Sequence, residues 1–174
     1  MSISLISTVT VGAGGAASID FTSIPGTFTD LMLTYSLRTT QATVSTSVTL
    51  TLNSSASNFT MRGLYGNGST ATAFTGTTYA GEACGANATA STFSNNSLYI
   101  SNYSGNLNKP YCIDSVSESN TATSTITMID SGLWSITSAI TALSIVASSG
   151  TFVQYSTASL YGITKGSSGG VTVA

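Results

Sequence analysis

The stretch Gly150-Thr-Phe-Val-Gln-Tyr-Ser-Thr-Ala-Ser-Leu-Tyr-Gly-Ile163 decides the fold. Phe152, Val153, Tyr155, Leu160, Tyr161 and Ile163 favour a pleated, half-buried surface. The segment has no helix cap, no 3.6-residue apolar stripe and almost no charge. It reads as a closing β-strand, or a strand with a bend near Ser156. Apolar residues fall on both faces around Leu160-Tyr161-Gly162-Ile163, which requires a central strand covered on two sides. Gly162 marks a bulge or a close backbone approach. Such a strand is not stable alone, so the remaining chain must supply the sheets that enclose it.

Two upstream segments show the same design more plainly. Leu31, Leu33, Tyr35 and Leu37 alternate with Met32, Thr34, Ser36 and Arg38, and Val48, Leu50 and Leu52 alternate with Ser47, Thr49 and Thr51. Period-2 alternation of this kind marks strands with one face in a core. Further strands are expected over Ile3 to Val11, Ala17 to Phe21, Phe59 to Tyr65, Leu98 to Tyr103, Tyr111 to Val116, Thr123 to Asp130 and Ser144 to Ala147. Gly12-Ala-Gly-Gly15 and Ile24-Pro25-Gly26 are turns. Trp134 is expected on a short helical turn, and Ser69 to Asn95 as a long, small-residue loop in need of support. The turn spacing predicts an all-β, single-domain antiparallel β-sandwich, jelly-roll-like, of about 8–10 strands. Its expected limits are residues 1–164, with 1–15 an N-terminal strand or arm and 165–174 a flexible C-terminal tail.

Composition narrows function by exclusion. Charged residues are 6% of the 174 positions and the net charge is -2, against roughly a quarter charged in ordinary domains. Roughly a third of the chain is Ser or Thr, which stand where Lys and Glu usually coat a surface. The basic residues Arg38, Arg62, Lys109 and Lys165 are scattered, so nucleic acid is not an expected partner. No apolar run reaches membrane-span length, and the first residues carry no basic n-region of a secretory signal. A weakly charged surface repels neighbours weakly, so a homo-oligomer or larger assembly is expected.

Candidate chemistry is sparse. There is no histidine, which removes Ser-His-Asp and Cys-His systems and the usual catalytic zinc sites. The expectation is therefore no enzyme, no metal and no cofactor. Asp114 and Glu118 share one segment, and a glycosidase-type carboxyl pair stays open as a third reading. Cys84 and Cys112 could bridge, which would close a loop worth about 3–4 kcal/mol; two buried free thiols in a reducing cytoplasm is the preferred reading. Tyr65, Tyr79 and Trp134 are candidates for a sugar-stacking platform, with strand core as the preferred reading. The sequons at Asn53, Asn58, Asn67, Asn87, Asn95 and Asn102 are expected to be chance products of composition.

Several phrases together carry a resemblance. They are Phe21-Thr-Ser-Ile-Pro-Gly-Thr-Phe-Thr-Asp-Leu31, Leu52-Asn-Ser-Ser-Ala-Ser-Asn-Phe59 and Leu64-Tyr-Gly-Asn-Gly68. Ile100-Ser-Asn-Tyr103, Ser115-Val-Ser-Glu-Ser-Asn120, Gly132-Leu-Trp134 with Ala139-Ile140, and Phe152 to Ile163 follow in order. The chain resembles a family of small virion structural proteins of phages that infect aquatic bacteria. The resemblance implies a virion component made in the host cytoplasm, with no catalytic motif to carry over. A capsid decoration (cement) protein is the expectation, a homotrimer bridging copies of the major capsid protein. The alternative is a tail-fibre, baseplate or head-fibre module that binds host surface glycan.

Overall fold

The computed structural model describes residues 1–118 and 126–165. Twelve strands form: β1 (Ser2–Thr10), β2 (Ser18–Phe21), β3 (Asp30–Ser36), β4 (Ser45–Leu52), β5 (Phe59–Gly66) and β6 (Ala71–Gly76) make up the first half. β7 (Tyr79–Cys84), β8 (Asn95–Ile100), β9 (Lys109–Ser117), β10 (Ile126–Trp134), β11 (Leu143–Ala147) and β12 (Thr157–Thr164) complete it. They build an eight-stranded sheet, β1-β12-β3-β8-β9-β10-β5-β6, and a four-stranded sheet, β2-β11-β4-β7. Every strand pairing is antiparallel. The protein is a two-sheet β-sandwich, as expected. The jelly-roll form is not confirmed, because a jelly roll shares eight strands between its two sheets and here one sheet alone holds eight.

Alternation explains why these segments pair. In β3, Leu31, Leu33 and Tyr35 are buried while Met32, Thr34 and Ser36 are half-buried. In β4, Val48, Leu50 and Leu52 are buried between half-buried Ser and Thr. These rows meet Leu98, Ile113, Ile145 and Leu160 in one core between the sheets. Each fully buried aliphatic side chain stabilises the fold by roughly 1.5–3 kcal/mol, and a one-residue slip would turn each row to water.

β12 lies between β1 and β3, a central strand as its sequence demands. The bend falls at Tyr155, whose φ of 73° is left-handed. Next to it the Ser156 hydroxyl accepts from the Arg38 N–H and donates to the Arg38 carbonyl, both at 3.1 Å. Gly162 is a close approach: a Cβ there would lie 2.2 Å from the Phe28 ring. Gly162→Ala therefore evicts Phe28 from its seat and is expected to cost about 1–3 kcal/mol, read as a lower urea midpoint at unchanged m-value. An unshifted midpoint would mean that Phe28 does not hold the strand.

Several expectations need correction. The segment Ser69 to Asn95 is not a long loop, since it contains β6 and β7. Small residues hid β6, and Gly81 and Glu82 broke the apolar pattern of β7. Trp134 ends β10 instead of sitting on a helical turn. Among the described residues, twelve strands replace the expected eight to ten. The thiols are unbridged: Cys84 is buried beside Ser117, whereas Cys112 is exposed on the outer face of β9. Within residues 1–15, expected as an N-terminal strand or arm, β1 hydrogen-bonds along the length of β12. The tail segment 166–174 and positions 123–125 of the expected strand lie outside the described residues.

Candidate functional site

The unequal sheets create the most distinctive site. The edge strand β7 packs on β8 and β9, so β10, β5 and β6 run on beyond the part that the smaller sheet covers. The chain crosses from β6 to β7 through Thr77 and Thr78. Their carbonyls accept from the Tyr111 hydroxyl at 3.2 Å and the Leu50 N–H at 2.6 Å, tying the crossing to both sheets. Under it lies a cavity of about 580 Å³ whose walls include Tyr65, Phe74, Tyr79, Glu82 and Met128.

β7 reaches this position through a bulge. Ser47 pairs with Glu82 and Thr49 with Tyr79, so Ala80 and Gly81 together face Val48. Gly81 has φ +83°, and a Cβ there would lie 2.7 Å from Asn96 Oδ1. Glycine is required both for that φ and for the approach to β8 and β9. The approach is sealed by a polar chain: the Glu82 N–H donates to Ser115 Oγ at 3.0 Å, and Ser115 donates to Asn96 Oδ1 at 2.5 Å.

Three rings gather at the cavity. Phase and spacing on β5 and β6 bring Tyr65 to 6.1 Å from Phe74, and Tyr79 meets Phe74 edge to face at 5.8 Å. The Tyr79 hydroxyl donates to Glu82 Oε1 and lies 3.0 Å from Met128 Sδ. Ser47 Oγ adds a donor to the same carboxylate oxygen at 3.3 Å.

Two carboxyls are buried here without adequate partners. Glu82 is 6% exposed and its Oε2 has no hydrogen-bond partner; Asp130 is fully buried and neither of its oxygens has one. Asp130 lies opposite Gly63 in the β10–β5 ladder. A Cβ on Gly63 would be 2.1 Å from Asp130 Oδ1 and 2.4 Å from the Phe74 ring, so the carboxyl fills the space that glycine leaves, next to Phe74. Burial, and then the negative charge of Glu82, push the Asp130 carboxyl up to about 6. Burial also raises Glu82, against the lowering effect of the Tyr79, Ser45 and Ser47 hydrogen bonds. Burial first, then the charge of Glu82, pushes the Tyr79 hydroxyl well above its ordinary value, so it stays a donor.

No basic side chain answers these acids, because the four cations of the chain are engaged elsewhere. Arg38 donates to the carbonyls of Ala86, Ala88, Thr89 and Thr92 and pins that loop. Lys109, buried, donates to the carbonyls of Gly105, Leu107 and Thr137. Arg62 bonds to the Met61 carbonyl. Lys165 pairs with Asp30 at 3.0 Å. Asp30 shows the contrasting case: burial raises it, but hydrogen bonds from Tyr99, the Asn102 N–H and Lys165 outweigh that and hold it below the usual carboxylate value.

The residues singled out from sequence divide accordingly. Tyr65 and Tyr79 share the cavity, joined by Phe74, which sequence reading left in a loop. Trp134 belongs to the core: it is 1% exposed, its indole N–H donates to the Ser57 carbonyl at 3.2 Å, and its ring lies 6.1 Å from Phe59. Asp114 is exposed on the outer side of β9 and Glu118 is exposed beyond its end, so they are not the acids that the fold brings together. Asp130 was detectable in principle. It shares the inward phase of Met128 and Trp134, and a carboxylate within an apolar period-2 row marks a buried acid. Among the described residues no group of three acidic, Cys or His side chains could hold a metal ion.

A second feature is the rim of the larger sheet. β1 is a nine-residue edge strand without charge, and Ile3 and Leu5 are 55% and 59% exposed on it. Near the opposite rim, Leu64 and Ile129 are cross-strand neighbours, both exposed. No family model, no curated protein and no solved structure matches the chain.

Proposed function

We propose that this protein is a non-enzymatic structural component of a phage virion, a capsid decoration (cement) protein held in place by its β1 edge. The observation that supports this most directly is β1 itself, a long, uncharged edge strand with Ile3 and Leu5 turned to solvent. A free edge of this kind offers a row of backbone donors and acceptors, and proteins that remain single blunt such edges with charge, proline or a cover. β1 has a bulge between Leu5 and Ser7 but none of the rest. Neighbouring copies in a trimer, or the major capsid protein, would supply the missing strand or apolar cover. The low charge and hydroxyl-rich surface fit a protein whose outside is packed against others. The resemblance of the chain to virion structural proteins gives the setting.

The test uses Ile3→Lys with Leu5→Lys in the full chain. Truncation would be a poor probe, since Ile6 and Val9 of β1 pack on the core. Exposed positions tolerate such changes within about 0.5 kcal/mol, so the thermal transition should hold while incorporation into virions is lost. Normal incorporation of the double variant would sink the β1 reading. Quantifying the protein per particle separates station from station: copy numbers near that of the capsid subunit support decoration, whereas a few copies per particle favour the tail.

The second reading, a fibre or baseplate module that binds host glycan, is favoured by one observation: Tyr65 and Tyr79 share a cavity. A glycan array tests it, and retention of a sugar that is lost on Tyr65→Ala would move the assignment.

A further inference from the structure

The cavity beneath the β6–β7 crossing holds a charge imbalance that the protein does not resolve internally. Glu82 Oε2 and both Asp130 oxygens are buried without a hydrogen-bond partner. Buried acids are ordinarily paired, bonded or protonated, since an isolated carboxylate in a low-dielectric site is costly. None of the four cations of the chain is engaged with them. Meanwhile Glu82 lines an open volume of about 580 Å³ together with Tyr65, Phe74 and Tyr79, inside the roughly 300–1,000 Å³ of small-molecule sites.

We propose that this cavity is a binding site for a primary alkylammonium group, with Glu82 as its anionic anchor and Tyr65, Phe74 and Tyr79 as its aromatic walls. Each element of the site selects for that chemistry. The unpartnered Glu82 oxygen requires a donor, and an ammonium supplies charge and N–H together. Ring faces attract cations and accept the alkyl stem. Met128 and the rings are poor ligands for a hard metal ion, which takes six or more oxygens. Asp130 lies behind the wall beside Phe74 and adds negative potential without touching the ligand. Thr75, Thr77 and Thr78 also line the cavity, and threonine hydroxyls can accept from the remaining N–H groups. The site is distinct from the β1 edge, so it stands or falls apart from the virion reading.

Such a group could be a free small amine or the end of a lysyl side chain on another protein. The experiment is calorimetric titration of the full chain at pH 8 in phosphate buffer with n-butylammonium chloride, and in parallel with Nα-acetyl-lysinamide. Sodium chloride at matched ionic strength is the control. Saturable binding is expected, weakened about tenfold or more in Glu82→Gln, which removes the charge but keeps an acceptor for Tyr79. Tyr65→Ala, at a half-buried position that should fold, is expected to weaken it as well. Tighter binding of the lysinamide assigns the source as a protein side chain; equal or weaker binding assigns a free amine. Heat no different from the sodium chloride control, or an affinity unchanged in Glu82→Gln, overturns the proposal. So does saturable binding of calcium chloride in place of either amine, titrated at the same pH in a buffer without phosphate.

Discussion

Asp130→Asn is expected to make the protein more stable at pH 7.5 and to flatten its pH dependence. In the folded chain the Asp130 carboxyl titrates at about 6, against an ordinary value of 3.8. Between those values the folded state keeps a proton that the unfolded chain has lost. Stability therefore falls as pH rises from about 4 to 6, and the full deficit stands above that range. A shift of this size corresponds to about 3 kcal/mol, or on the order of 6–12 °C in Tm for a chain of this length. Glu82, raised in the same direction, steepens the decline, whereas Tyr35, Tyr79 and Tyr111, which also face Asp130, stay neutral throughout. Asparagine cannot ionise, so variant and parent should converge near pH 4 and diverge above pH 6. The measurement is denaturant unfolding from pH 4 to 8 in buffers free of amines, because an ammonium bound beside Glu82 would offset the same penalty. Parallel stability curves for the two proteins would show that Asp130 is not the strained acid.

Trp134→Ala is expected to be the most damaging single truncation, at about 3–5 kcal/mol. Trp134 is buried at the end of β10, its ring neighbours Phe59, and its N–H is held by the Ser57 carbonyl. Removing it leaves a large hole in the core between the sheets and costs the hydrogen bond to the Ser57 carbonyl, which sits in an exposed loop and can turn to water. The loss should appear as a fall of roughly 10 °C or more in Tm. A loss near zero would return Trp134 to the surface and revive a sugar-stacking role. Tyr65→Ala provides the internal comparison: half-buried at the cavity, it should cost clearly less in stability while it weakens ligand binding.

The two variants probe different kinds of information. The position of Trp134 in a strand core follows from its phase with Met128, although the glycine before Leu133 suggested a turn instead. Gly132 is there because Tyr111 lies across it: a Cβ would be 2.1 Å from that ring. A glycine that serves a neighbouring ring looks, in one dimension, the same as a glycine that breaks a strand. β7 is hidden from a period-2 reading for a related reason. Its bulge at Ala80-Gly81 shifts the alternation, so a period-2 reading finds no strand in a segment that is buried from Ala80 to Cys84.

Read alone, the chain determined that this is a two-sheet β-protein with a central closing strand, because alternation of side chains is a local property with a period of two. It also determined the low charge and the lack of histidine, which leaves no histidine side chain for a nucleophile system or a metal ligand. Only tertiary structure decided that the sheets divide eight to four, that β7 stops short of β10, and that Glu82 and Asp130 share one interior. Those outcomes depend on which distant strands pair and on how far one sheet overhangs the other. No local pattern encodes that, since the energy of an overhang comes from contacts between residues remote in sequence.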